Sequence, residues 1–183
     1  MLEKRTAVEP EYGGVAKALH WLTVALLIVQ FLVGWTMPGI RRGMQPEGLV
    51  SLHLSVGVLI LLVVVLRLIW RLGHPVPLVA DNIPLWQRYA AQATHALLYL
   101  MLFILPLTGW VNASSRAWTI NLFGLVTLPQ ILPADSALLR QIGQIHILLT
   151  YALLALIGLH VVAALYHHFW LRDRVLRRML PFG

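Results

Sequence analysis

Residues Ile142 to Trp170 read IGQIHILLTYALLALIGLHVVAALYHHFW, one continuous apolar run punctuated by histidines. Roughly 20 apolar residues suffice for a helix to cross the hydrocarbon core of a bilayer. Lipid offers a backbone no hydrogen bonds, so a segment of this kind is either a helix or a strand of a closed barrel. Barrel strands alternate apolar and polar residues, and this run does not. It reads as a transmembrane helix.

Three further runs have the same character: about 16–37, closed by Pro38-Gly39; about 49–70, closed by Gly73 and Pro75; and about 89–111, with Pro106 inside it, where a kink is expected. The first is too long for a signal-peptide core and no small-residue cleavage site follows it, so it is expected to be retained. The composition agrees. The 183 residues are 59% hydrophobic and 11% charged, against about 25% charged in a soluble domain. So little charge cannot cover a soluble core, and the apolar fraction is too high for disorder. The expected fold is an all-α membrane protein, a four-helix transmembrane bundle forming a single domain over 1–183. Its loops are short except for the outer one, about 112–141. That stretch is semi-apolar (Trp118, Ile120, Leu122, Phe123, Leu125) and is expected to fold over the outer face.

The net charge of +7 would suggest nucleic acid in a soluble protein, but its placement gives another reason. Lys4, Arg5, Lys17, Arg67, Arg71, Arg88, Arg172, Arg174, Arg177 and Arg178 fall on one side of the four spans; Arg41, Arg42, Arg116 and Arg140 fall on the other. By the positive-inside rule both termini face the cytoplasm, and the partner of the basic excess is membrane lipid, not nucleic acid. Six tryptophans, Trp21, Trp35, Trp70, Trp86, Trp110 and Trp170, sit near span ends, as an interfacial belt requires. The chain has no cysteine, which excludes disulfides, Cys-ligated clusters, covalent haem attachment and a thiol nucleophile.

Ionisable groups inside spans are costly and mark function by default. Five of the eight histidines lie in or at the ends of the spans. His146 and His160 are 14 residues apart, close to four helical turns and a rise of roughly 21 Å, so they share one face at two depths. His53 matches the depth of His146, and His20 that of His160. Two transverse imidazole pairs, one per leaflet, suit two b haems, whose iron takes one axial imidazole on each side of the ring. His95, also on the inner side, is an alternative to His20. Zinc fits less well, because structural zinc gathers four close ligands. A haem-free bundle in which the histidines relay protons or bind a divalent metal is the reading from a different class.

Other residues carry two readings each. His95 and His167 are placed to flank an amphipathic quinone headgroup, or are ordinary interfacial histidines. Arg67 and Arg71, four residues apart at the inner end of the second span, suit either haem propionates or anionic lipid. Arg41, Arg42, Arg116 and Arg140 outweigh Glu47 and Asp135 on the outer side. They form either a basic mouth that attracts a small anion or an ordinary solvated surface.

Particular segments resemble the bacterial cytochrome b561 family, four-helix di-haem cytochromes linked to quinone. They are Ala18-Leu19-His20-Trp21-Leu22; His53 with Val65-Leu66-Arg67-Leu68 and Arg71-Leu72; Thr94-His95 with Leu105-Pro106-Leu107-Thr108-Gly109; and Gly158-Leu159-His160 followed by Ala163 to Trp170. Leu176 to Pro181 and Phe123-Gly124-Leu125 add to them. The resemblance implies two haem b, ligated by His20 with His160 and by His53 with His146. It also implies a location in the bacterial inner membrane, electron exchange with the ubiquinone pool, and quinone near His95 and His167. Superoxide oxidation at the outer face with ubiquinone reduction is the activity it suggests. A dehydrogenase or another periplasmic donor is the alternative source of electrons.

Overall fold

The computed structural model describes residues 12–41, 43–74, 83–133 and 137–181, with the backbone alone for 137–140. Lys4, Arg5, Arg42, Pro75, Asp135 and the side chain of Arg140 lie outside what is described.

Four helices are long and apolar enough to cross a membrane. α1 runs Gly14–Thr36 and stops because Met37, preceding Pro38, turns to an extended backbone. α2 runs Gly48–Gly73, with Arg71 in its last turn complementing the helix dipole. α3 spans Leu85–Ser115, four residues beyond the expected span at each end, and runs through Pro106. Its last turn is held by the Ser115 hydroxyl, which donates to the Asn112 carbonyl at 2.6 Å. α4 runs Ala137–Tyr166 and widens into a π-helical turn, His167–Leu171, where the sequence suggested unbroken α-helix to Trp170. Left-handed Arg172 (φ 53°) ends the turn.

Polar side chains within the spans find partners locally. The hydroxyls of Thr23, Thr94 and Thr150 donate to carbonyls four residues back at 2.7–2.8 Å, so none of these three is bare in lipid. The outward surface is apolar: Ile69, Leu148 and Phe169 are well over half exposed. In water such a surface would aggregate, whereas in a bilayer it is solvated.

α1 packs on α2, α2 on α3 and α3 on α4. Val56, Ile60, Val64, Leu102 and Leu153 fill the middle of the bundle. A second cluster, Val50, Ala113, Trp118 and Ile120, closes the end opposite the start of α1, the expected outer end. It exists because the segment after α3 folds back. β1 (Ile120–Leu122) and β2 (Val126–Leu128) pair antiparallel, with Asn121 opposite Thr127. Phe123 (φ 49°) and Gly124 (φ 75°) make the left-handed turn that suits the twist of a hairpin. Ser55 on α2 ties it down, its hydroxyl donating to the Asn121 carbonyl at 3.1 Å and accepting from the Phe123 amide at 3.2 Å. The Trp118 indole donates to the Met44 carbonyl at 2.7 Å. Residues 118–128 therefore form a seated cap.

Candidate functional site

The two helix pairs that carry the facing histidines, α1 with α4 and α2 with α4, are not among the closely packed pairs; imidazoles span between them. Toward the expected outer end His53 of α2 faces His146 of α4, with ring centroids 6.3 Å apart and planes at 76°. Gln30, a lone amide in the apolar middle of α1, reaches this pair. Its Nε2 donates to the His53 carbonyl at 3.1 Å and lies 3.3 Å from the His53 Nε2. The Thr108 hydroxyl lies 3.0 Å from the His146 Nδ1. Two glycines give the rings room: a Cβ at Gly34 would stand 3.4 Å from the His53 Cε1, and one at Gly109 would stand 3.2 Å from the His146 Cε1.

Near the inner side His20 of α1 faces His160 of α4, with centroids 6.4 Å apart and planes at 69°. His95 of α3 stands closer to His160, at 5.3 Å. An Arg67 guanidinium nitrogen lies 3.1 Å from the His20 Nδ1. The guanidiniums of Arg67 and Arg71 both cover the Tyr99 ring, at 5.3 and 5.6 Å. All four helices contribute to this group.

A metal–imidazole bond is about 2.0–2.1 Å and a ring nitrogen lies about 1.1 Å from its centroid, so collinear axial imidazoles have centroids roughly 6.3 Å apart. The outer pair and His20–His160 fall on that value, and His95–His160 is about an ångström short of it. The His53 Nδ1 is buried without a hydrogen-bond partner, and the Gln30 Oε1 likewise, so the outer pair keeps unspent polar capacity. Among the described residues no group of three or more His, Asp or Glu is gathered for a chelated ion. The residues fit haem.

At the inner end of α4 the π-helical turn brings the His167 Nδ1 into contact with an Asp173 carboxylate oxygen, both groups being about a fifth exposed. The other Asp173 oxygen accepts from the Val175 amide. The Trp21 indole donates to the Met179 carbonyl at 2.8 Å, holding the C-terminal segment against α1. His95 stands against His160 and His167 against Asp173, so the two candidate quinone residues have different partners. On the outer side Arg41 and Arg116 are exposed, and the Arg116 guanidinium lies over Trp118 at 5.4 Å.

Gln30, Thr108, Gly34, Gly109, Tyr99 and Asp173 were not among the site residues read from the sequence. Gln30 had a signal, being an amide mid-span. Thr108 and Gly109 become visible only once the rotation of α3 against α4 is known.

An apolar four-helix bundle with imidazoles paired at two depths has the build of a membrane-embedded b-type cytochrome. The chain belongs to the prokaryotic cytochrome b561 family, whose sequence profile matches residues 11–182. It is 31% identical to cytochrome b561 homolog 2 of Escherichia coli (strain K12) over 180 residues, covering 96% of this chain and 94% of that one. It is 30% identical to the probable superoxide oxidase CybB of Yersinia pestis over 175 residues, covering 93% and 96%. Cytochrome b561 homolog 1 of Escherichia coli (strain K12) is 28% identical over 171 residues, covering 89% and 93%. Membership makes this a multi-pass bacterial membrane protein of electron transfer that binds haem b.

Proposed function

We propose that the chain is a superoxide:ubiquinone oxidoreductase of the bacterial inner membrane. It is one domain over 1–183, with both termini in the cytoplasm and two haem b. In this reading His53 and His146 would hold the outer haem, His20 and His160 would hold the inner haem, and Arg67 and Arg71 would pair with its carboxylates. The observation that carries it is the pair of centroid separations, 6.3 and 6.4 Å, at two depths of one bundle. Bound between these imidazoles, haem b would supply single-electron exchange.

The rest falls to the side chains. Arg41, Arg42, Arg116 and Arg140 make the outer mouth positive, which concentrates a small anion such as superoxide there. Apolar helix walls exclude water from the space between the pairs. At the inner end the Asp173 carboxylate accepts the His167 Nδ1 hydrogen, which turns the His167 Nε2 toward proton exchange with a quinone oxygen. His95 supplies a second polar contact on the same side. The net reaction takes one electron from each of two superoxide anions and gives both, with two protons, to one quinone. The name borne by the relative from Yersinia pestis supports the choice of superoxide.

The test mixes haem-loaded protein with superoxide and a soluble ubiquinone. Quinol formation that requires both the protein and superoxide is expected; no acceleration over protein-free buffer contradicts the reading. A second reading keeps the haems and takes electrons from a periplasmic protein such as a dehydrogenase. It is favoured by the hairpin tip, where Phe123 and Leu125 are exposed, Leu125 to 84%. Stoichiometric co-purification of a soluble partner, lost on replacing Leu125, would favour it.

A further inference from the structure

The Thr108 hydroxyl touches two groups. It lies 2.7 Å from the Leu105 carbonyl and 3.0 Å from the His146 Nδ1. It has a single hydrogen, and a carbonyl oxygen can only accept, so at 2.7 Å that hydrogen goes to Leu105. The Thr108 oxygen must then accept from His146, which requires the hydrogen on Nδ1 and leaves the lone pair on Nε2. That is the tautomer a metal takes. The reverse assignment would set the Thr108 and Leu105 oxygens against each other at 2.7 Å with no hydrogen between them.

The neighbouring position reinforces the arrangement. Gly109 leaves the His146 ring space that a Cβ would narrow to 3.2 Å, so residues 108 and 109 of α3 set the angle and the tautomer together. On His20 of the inner pair the arrangement differs, because its Nδ1 faces an Arg67 guanidinium nitrogen, which can only donate.

We propose that Thr108 is the positioning residue for the outer haem: it locks His146 with Nε2 toward the iron and, by accepting the Nδ1 hydrogen, strengthens His146 as a ligand to the ferric state. The proposal rests on the haem reading above. An acceptor behind a ligating imidazole makes it more basic, and such outer partners are typically worth about 10–100-fold in metal affinity.

The experiment is a redox titration of wild type, Thr108→Val and Thr108→Ser, followed by haem absorbance, with haem b per chain measured on the same samples. Thr108→Val is nearly isosteric and lacks the oxygen. It is expected to keep two haems and to raise one midpoint potential, as the ferric state of that haem loses about tenfold against the ferrous, or about 59 mV for one electron. Thr108→Ser keeps the hydroxyl and is expected to titrate as wild type. If Thr108→Val loses a haem that Thr108→Ser retains, the proposal is equally supported. Two haems in Thr108→Val with both midpoints unmoved overturns the role of Thr108 and leaves the haem reading standing. Equal loss of haem in both variants overturns it as well, since the hydroxyl is then not what matters. Wild-type protein without haem b overturns the haem reading itself and takes the proposal with it.

Discussion

His53 and His146 face each other at 6.3 Å, and each ring backs onto a glycine of a third helix, Gly34 of α1 for His53 and Gly109 of α3 for His146. The outer pair is thus positioned by all four helices, two supplying rings and two supplying room.

This geometry makes Gly109 sensitive. Gly109→Leu is expected to displace the His146 ring, reduce haem b from two per chain to one, and destabilise the bundle by about 1–3 kcal/mol through overpacking. Gly158→Leu is the control, because a Cβ there meets nothing within 4 Å, and it is expected to keep both haems. Haem content and thermal loss of the Soret band check both.

Asp173 is expected to matter for quinone and not for haem. Asp173→Asn replaces the carboxylate that accepts from the His167 Nδ1, so quinone reduction should slow by about tenfold or more, as for other positioned acid–base groups. Haem content should be unchanged. Stopped-flow reoxidation of the reduced protein by a soluble ubiquinone measures it, and an unchanged rate would remove His167 and Asp173 from the quinone site.

The basic outer mouth is expected to act at long range. Arg41→Gln with Arg116→Gln should slow haem reduction by superoxide several-fold at low ionic strength. The difference from wild type should shrink as salt rises, since the screening length falls from about 10 Å at 0.1 M to about 3 Å at 1 M. A salt-independent deficit would mean that the arginines act by contact instead.

Trp118 anchors the outer cap, being 4% exposed with its indole bonded to the Met44 carbonyl. Trp118→Ala is expected to cost about 3–5 kcal/mol and to free the hairpin. Lower thermal stability, with protease cleavage between Ala117 and Pro129, reports it.

Much of this was legible in the sequence because a bilayer constrains a chain so strongly. The four helices follow from run length, and the two imidazole depths from the 14-residue spacing of His146 and His160, which no tertiary detail could disturb. What the sequence left open was lateral. Whether His20 or His95 pairs with His160 depends on helix rotation, which sets their rings 6.4 and 5.3 Å from the His160 ring. The hairpin was hidden because its strands are three residues each, below any reliable alternation. Asp173 was hidden because its meeting with His167 depends on a π-helical turn that breaks the expected register.

The proposed function turns on the holding of two haem b by four particular histidines. It is tested most directly by haem b per chain, from pyridine haemochrome spectra of purified wild type and of His20→Ala, His53→Ala, His146→Ala, His160→Ala and His95→Ala. Two haems are expected in wild type and in His95→Ala, and one in each of the other four. Wild type with no Soret band, or His95→Ala losing the haem that His20→Ala keeps, would contradict it.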